Sequence, residues 1–600
     1  MNRDFNLGSL QKNKEWDVAI IGGGATGLGI AVDAANRGFK TLLVERSDFA
    51  KGTSSRSTKL IHGGVRYLQN GDISLVIEAL RERGILRKNA PHLVRDLSFV
   101  IPSYDWWSSP FYGFGLKVYD MMAGKLGLGP STLLDKQETL DHIPNVNKKG
   151  LRGGIIYHDG QFDDARMAIS LALTATKEGA TLLNYAEVKS FMKDDGLING
   201  LCFTDIINKK DYKIKAKVIV NATGVFSDQL IKLDQPNAKP MIRPSQGVHL
   251  VLEKKFLNGP YAIMVPQTSD GRVLFAVPWN NYVVLGTTDT PISKASDEPT
   301  ALKKEINFIL RNAGNYMTKK PKISDVKSVF VGLRPLAASE NKNEPTKEVS
   351  RHHKVTVSTS GLVSVLGGKW TTYRKIAEDT INTIQTVGGL TEKKCNTEEI
   401  HIFGYDQNTD WQNPIHFYGT EAKKIKALSK DGNKSLSEKI YITKNQILWA
   451  LREEMAITLE DILARRTRCL FLDSFETEKI AEKVVMIMAD EMKKNNIDYA
   501  TVVSAQIWNN KENNSYVKDS IKKYTNLFQF IDFDSYWSDN YQTKNAYQRL
   551  KNICNNYDLI GLTQYLGGDD ASWLYSKDCL LYTSDAADER SSVDLGGRRI

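Results

Sequence analysis

Trp16 to Glu45 reads WDVAIIGGGATGLGIAVDAANRGFKTLLVE. Trp16 to Ile21 is a short apolar run of strand type. Gly22-Gly23-Gly24-Ala25-Thr26-Gly27 follows it as a G-x-G-x-x-G turn, with Gly29 just beyond. Leu28 to Arg37 has helical character and stops at Gly38, and Lys40 to Val44 is a second apolar strand closed by Glu45. Strand, glycine turn, helix, strand and acid in that order make a complete βαβ dinucleotide-binding unit. Gly22 permits the tight turn, Gly24 lets a pyrophosphate approach the backbone, and Gly27 lets helix and strand pack closely. The pyrophosphate is expected at the helix N-terminus, where N–H groups and the dipole favour negative charge. Glu45 falls where a carboxylate holds ribose hydroxyls.

Outward from that unit, Lys51 to Gly64 reads KGTSSRSTKLIHGG, a loop too long and too polar for a simple connection. NAD enzymes continue with further short βα units, whereas this loop suits a flavin lying against Thr53, Ser54, Ser55, Lys59, His62 and Gly63. Two later segments extend the same site. Lys217 to Gly224 is a strand ending in Ala222-Thr223-Gly224. Gly367 to Thr372 (GGKWTT) follows the strand Leu362 to Leu366, so Gly368, Lys369 and Thr371 offer a second helix N-terminus to the cofactor.

The 600 residues exceed what one core holds, so roughly two to four domains are expected. Lys plus Arg is 80 against 70 for Asp plus Glu, a mild excess of +10. It suits an anionic substrate or an acidic membrane surface, and equally a solvated basic surface. No basic stripe with interleaved aromatics is present, so no nucleic-acid partner is expected. The five cysteines are scattered without a CxxC pair, which argues against a disulfide framework or a metal site and for a reducing compartment. The N-terminal MNRDFNLGSLQKNKEWD is too polar for a signal peptide, and no apolar run of about 18 residues exists. A cytoplasmic protein is expected, free or lying on the inner face of the cell membrane.

Several separated motifs together resemble the aerobic, FAD-dependent glycerol-3-phosphate dehydrogenases of the D-amino-acid-oxidase-like flavoprotein superfamily. They are SSRSTKLIHGGVRYL (Ser54 to Leu68), FDDARM (Phe162 to Met167), NATGVFSD (Asn221 to Asp228) and GTTDT (Gly286 to Thr290). GLRPL (Gly332 to Leu336), SRHHK (Ser350 to Lys354) and GGKWTTYRKIAED (Gly367 to Asp379) complete the set. Farther on, LEDILARRTR (Leu459 to Arg468) resembles the signature of the family's C-terminal helical domain. The resemblance covers roughly residues 15–505. It implies an α/β fold: a Rossmann-type FAD-binding domain with an inserted, mostly antiparallel β substrate domain, plus a C-terminal helical domain. The FAD part is expected over about 15–95, 152–238 and 355–390, the substrate part over about 96–151 and 239–354, and the helical domain over 391–510. Strand-like runs at Val248 to Leu252, Val273 to Val277 and Tyr282 to Leu285, and helix-like spacing in Gln446 to Leu451 and Ile480 to Met488, agree with that division.

The activity so implied is oxidation of sn-glycerol 3-phosphate to dihydroxyacetone phosphate, with electrons passed through FAD to a quinone. Such chemistry needs a hydride acceptor, a proton acceptor and cations for a dianionic phosphate. By resemblance the cations are Arg66, beside Tyr67, then Arg334, Arg351 and Lys369, with Arg334 also placed at the reacting centre. His249 of QGVHL is the base or orienter, since imidazole ionises nearest neutrality. Glu187 and Val188 resemble the segment whose backbone touches the adenine. Phe99 to Gly129 crowds Trp106, Trp107, Phe111, Tyr112 and Phe114 among glycines and lysines. That pattern fits an interfacial anchor as well as a buried core. A homodimer is left open. A glycerol-3-phosphate oxidase using oxygen carries the same flavin and phosphate motifs, and a non-catalytic flavin binder is a third reading. Lys511 to Asp578 matches nothing and has a few helix-like stretches. Cys579 to Glu589 and Val593 to Ile600 resemble the translated ends of a transposase-type sequencing adapter, so 579–600 is expected to be foreign to the natural protein.

Overall fold

The Trp16–Ile21 strand lies inside a sheet whose order is Lys354–Val357, Val363–Leu366, Lys210–Asn221, Trp16–Ile21, Thr41–Val44, Thr181–Leu183. Its four inner pairings from Val363–Leu366 to Thr181–Leu183 are parallel and covered as parallel sheets must be, so these strands read as continuous apolar runs. Thr41–Val44 is buried at every residue, and Trp16–Ile21 at all but Asp17. The Ala25–Asn36 helix packs on this sheet beside helices Asp164–Lys177 and Tyr373–Val387. Leu28, Ile30, Ala31, Ile169, Ala172, Ile376 and Ile381 share one core there. The long Lys210–Asn221 strand leaves the parallel layer at its N-terminal half and pairs antiparallel with Leu197–Asp205, which pairs with Ala186–Asp194.

The structure is a computed structural model that describes residues 1–13, 15–64, 72–105, 108–266, 268–338 and 352–494 and a few short strands beyond. The chain divides into two compact units, Met1–Thr477 and Glu478–Ile600. In the second, the described residues are the later part of the Ser474–Lys494 helix and three short strand pairs, Thr501–Val502 with Phe528–Gln529, Leu559–Ile560 with Tyr575–Ser576, and Thr563–Leu566 with Asp570–Ser572. Residues 579–600 lie outside the described residues.

The first unit holds a second, ten-stranded sheet. Its central ladder pairs Ile242–Glu253 with Val326–Ala337 over their whole length, and Ile242–Glu253 also pairs with Tyr282–Gly286. All pairings are antiparallel except that of Ala262–Val265 with Val94–Ser103. Two strands assigned from sequence to the FAD part belong here instead. Gly153–Phe162 runs against Val94–Ser103 from Val94↔Phe162 to Ser103↔Gly153, and Leu60–Ile61 pairs with its end. Ten consecutive backbone pairs outweigh the sequence proximity of Gly153–Phe162 to the FDDARM helix.

From Thr397 to Thr477 the chain is helical turns and short helices. Lys444–Glu453 starts with a capping box between Thr443 and Gln446, and Asp461–Arg466 forms a π-type turn. Arg465, Arg466 and Arg468 of that segment are fully buried and ion-paired, to Asp48, Glu460, Asp461 and Asp164. No described helix is long and apolar enough to cross a membrane.

Candidate active site

One cavity of about 600 Å³ runs from the glycine turn of the parallel sheet to the central ladder of the antiparallel one. That size suits a small-molecule or cofactor site. At one end, Gly22 has φ +111°, and a Cβ there would lie 2.6 Å from the Ala222 carbonyl oxygen. A Cβ on Gly27 would lie 1.9 Å from the Gly22 carbonyl oxygen. Gly27 therefore acts by close packing and does not line the cavity, whereas Gly22 and Gly24 do. No side chain caps the Ala25–Asn36 helix from Gly24. The Ser54 hydroxyl accepts from Ala25 N at 2.9 Å instead. Glu45 braces the same turn, its carboxylate accepting from Gly23 N at 2.6 Å and Ser47 N at 2.8 Å. Burial pushes the Glu45 carboxyl up, and these two N–H donors oppose that shift.

Along the cavity, Thr53 donates to Leu333 O at 2.6 Å and Trp370 Nε1 to Ser54 O at 2.9 Å, tying the flavin-type loop to both sheets. Val188, Ala222, Thr223, Gly224, Gly368, Lys369 and Thr371 line the wall, as do Thr53, Ser54 and His62. Burial depresses the His62 imidazole. Three residues expected at the cofactor stand behind the wall. Ser55 is fully buried, and its carbonyl accepts from Lys59 Nζ and Arg468 Nη2. Lys59 has φ +64°, and its ammonium reaches Asp164 at 2.7 Å, away from the cavity. Gly63 N donates to the Tyr119 hydroxyl at 2.9 Å.

At the other end, cross-strand register does the assembly. Ser245 faces Arg334, Gly247 faces Gly332, and His249 faces Phe330, so one face of the ladder carries His249 and Arg334 in line. Gly247 leaves room for the Arg334 side chain, since a Cβ there would lie 2.7 Å from Arg334 Nη2. Arg334 donates to Thr288 O at 2.8 Å and pairs with Asp289 at 3.2 Å. His249 is buried, stacks on Phe330 with centroids 4.8 Å apart, and shares a 2.9 Å hydrogen bond with Thr58 through Nε2. Its Nδ1 is buried with no partner among the described residues. Burial first, then Lys59 and Arg334, hold its pKa well below the ordinary value. Arg66, Tyr67 and Arg351 lie outside the described residues.

The sequence reading missed Thr58, Asp289, and Arg56 with its partner Glu298 (2.7 Å). Thr58, Arg56 and Asp289 stood inside quoted motifs, but nothing local said which way their side chains turn. Glu298 carried no signal, because its partners come from the other sheet.

A glycine cradle, a helix start with no side-chain cap of its own, a bracing acid and a cavity that also holds an imidazole fit a bound dinucleotide whose reactive end meets a small substrate. The class so defined is a two-domain flavoprotein oxidoreductase. Residues 17–374 match the FAD dependent oxidoreductase (DAO) family, and residues 363–498 match the C-terminal domain of alpha-glycerophosphate oxidase. The chain belongs to the FAD dependent oxidoreductase family, and FAD is its cofactor. It is 37% identical to a mitochondrial glycerol-3-phosphate dehydrogenase of Mesocricetus auratus over 89% of this chain and 80% of that one. It is 39% identical to a probable mitochondrial glycerol-3-phosphate dehydrogenase of Caenorhabditis elegans, over 81% and 72%. Among solved structures, the Bacillus halodurans glycerol-3-phosphate dehydrogenase complexed with FAD aligns at a TM-score of 0.66 and 28% identity, over 88% of this chain and 99% of that one. A Mycoplasma pneumoniae L-alpha-glycerophosphate oxidase with FAD bound, at 0.50 and 18% over 62% of this chain and 95% of that one, shares the fold.

Proposed function

We propose that the protein oxidises sn-glycerol 3-phosphate to dihydroxyacetone phosphate and passes the electrons to a quinone. The observation that carries this reading is the register placing His249 and Arg334 on one sheet face at the end of the cofactor cavity. The names of the relatives supply the substrate. Bound FAD supplies the hydride acceptor. The Gly22–Gly27 turn would hold the pyrophosphate, Glu45 the ribose, Val188 the adenine through its backbone, and Thr53, Ser54, His62 and Thr371 the flavin end. Burial and two neighbouring cations disfavour the charged form of His249, so its imidazole would meet the substrate hydroxyl neutral, as a proton acceptor weaker than a free imidazole. Arg334, fixed by Thr288 and Asp289, and Lys369, which lines the same cavity, would hold the phosphate.

The quinone reading rests on the relatives being named dehydrogenases and on the Ser108–Ala123 helix. On that helix Phe114 is 76% and Met121 81% exposed, while Leu116 and Tyr119 are buried. Side chains of Phe111 and Tyr112, and all of Trp106 and Trp107, lie outside the described residues. We place this helix on the surface of the membrane's inner face, where its apolar side meets lipid. The test is anaerobic bleaching of the flavin spectrum by glycerol 3-phosphate, followed by air or a soluble quinone. Fast recovery with quinone and slow recovery in air is expected. Fast recovery in air with peroxide would make the enzyme an oxidase, and absence of bleaching would overturn the substrate.

A further inference from the structure

We propose that Thr58 is a positioning residue for proton removal: its hydroxyl fixes the His249 imidazole through Nε2, and it is itself held rigid by a buried clamp on Asp164. This rests on the reading of His249 as the proton acceptor.

The ring of His249 is sandwiched. Phe330 stacks on one side at 13° between planes, and on the other Gly286 lies so close that a Cβ there would meet His249 Cδ2 at 2.3 Å. Such a slot fixes the plane of an imidazole but not its half-turn about the Cβ–Cγ bond, because neither wall makes a hydrogen bond to a ring nitrogen. A half-turn exchanges the places of nitrogen and carbon, and a base with its lone pair in the wrong place does not act. The 2.9 Å bond from Nε2 to Thr58 Oγ1 breaks that degeneracy. It also leaves Nδ1 as a buried nitrogen with no partner among the described residues. Thr58 and His249 line the same cavity.

A hydroxyl orients a ring only if it is held itself. Thr58 sits between two residues tied to one carboxylate. Ser57 donates to Asp164 Oδ2 from its backbone N at 2.9 Å and its hydroxyl at 2.7 Å, and Lys59 Nζ reaches the same oxygen at 2.7 Å. Arg468 takes the other oxygen at 3.0 Å. Lys59 is held at positive φ, a conformation that a residue with a side chain keeps only where the surroundings over-determine it. Lys59 and Asp164 are both fully buried. The clamp therefore gives FDDARM and the LEDILARRTR segment a shared task that neither motif shows by itself.

The charged groups acting on His249 are Lys59 and Arg334, both cationic. Thr58→Val keeps shape and loses the hydroxyl, and Thr58→Ser keeps the hydroxyl. The full-length enzyme loaded with FAD is assayed with glycerol 3-phosphate across pH, with His249→Gln as control. Thr58→Val is expected to lower kcat about tenfold or more, within the range general-base catalysis supplies. KM and the bound-flavin spectrum should hold, and the acid limb of the kcat/KM profile should move. Thr58→Ser is expected to restore both. Thr58→Ala takes the place of the valine variant if that one loses FAD. Normal kcat and an unmoved profile in Thr58→Val, beside a crippled His249→Gln, would overturn the positioning role alone. Failure of Thr58→Ser to rescue would do the same, by reducing Thr58 to packing. A fully active His249→Gln would remove the proton-acceptor reading and Thr58's role with it.

Discussion

Gly247 has no side chain at the point where Arg334 crosses the ladder, and this one vacancy lets the guanidinium reach Thr288 and Asp289 at the cavity wall. A guanidinium fixed by neutral and anionic acceptors is pre-oriented, so little is lost in ordering it around a phosphate. Arg334→Ala is expected to raise KM for glycerol 3-phosphate by about a hundredfold, in the range that truncating one partner of a charged hydrogen-bonded pair costs. The flavin should stay bound, since Arg334 belongs to the antiparallel sheet and not to the glycine turn of the parallel one; steady-state kinetics and the visible spectrum read both. Retained KM would remove Arg334 from the substrate. At this scale the sequence was informative where a motif residue lines the cavity, as Arg334, His249 and Lys369 do. It misled where backbone conformation turns the side chain away: Lys59, at positive φ, faces Asp164 instead. A motif records which residues travel together, not which of them meets the ligand and which supports the one that does.

Two elements carry consequences of their own. The segment Ser296–Pro299 is loop that follows the Thr290–Pro291 strand of the antiparallel sheet, and Ser296, Asp297 and Pro299 line the cavity. Its carboxylates pair with cations of the loop after Thr41–Val44: Asp297 with Arg46, and Glu298 with Lys51 at 3.0 Å and Arg56 at 2.7 Å. These pairs strap one sheet to the other beside the cofactor, and the Arg46 and Lys51 pairs are open to salt screening. FAD release, followed by flavin fluorescence after dilution, should quicken with salt. It should be faster in Glu298→Gln at low salt, with a weaker salt response. Equal release rates at all salt concentrations in both proteins would discard the strap. The second element is the turn holding His92, whose Nε2 donates to Phe403 O at 3.1 Å. Burial pushes this imidazole down to about 3 and the neighbouring His416 to about 4. Below an ordinary value near 6.5 the unfolded chain takes up protons that the fold refuses, so their contribution to stability is full above that pH and is lost progressively toward 3. His92→Gln should flatten the fall of the thermal midpoint between pH 6 and about 4; an unchanged slope would acquit His92. Element identity was legible here because apolar runs and glycine turns are local signals. The strap and the Gly153–Phe162 pairing were not, since each depends on a partner 50 or more residues away.

Across the whole first unit, the C-terminal turns are joined to the FAD layer by charge in a dry setting. Asp48, three residues past Glu45, accepts a bidentate pair from Arg466 at 2.7 and 2.8 Å and a further bond from Arg465 Nε. All three side chains are at most 1% exposed. Arg166 and Glu454 repeat the arrangement at 2.7 Å, and Arg468 with Asp164 makes a third link. LEDILARRTR gives the family away by its spelling, but three arginines in four positions read by themselves as a solvated face. Partners more than 400 residues upstream leave no periodic trace from which burial could be inferred. Burial alone would raise the Asp48 carboxyl, and Arg466 and Arg465 overcome that and hold it below the usual range. Asp48→Ala would strand two guanidinium groups in the interior, where breaking a buried pair by removing one partner costs about 3–5 kcal/mol. Urea unfolding of that variant should show a midpoint far below that of the parent, whereas Lys88→Ala, which breaks the exposed pair with Glu399, should leave the midpoint nearly in place. The comparison separates buried linkage from mere charge count, because both variants remove one ion-pair partner from the same protein. If the two midpoints coincide, the dry network is not what binds the C-terminal segment to the FAD layer, and the apolar contacts of Leu459, Ile462 and Leu463 would have to carry that attachment.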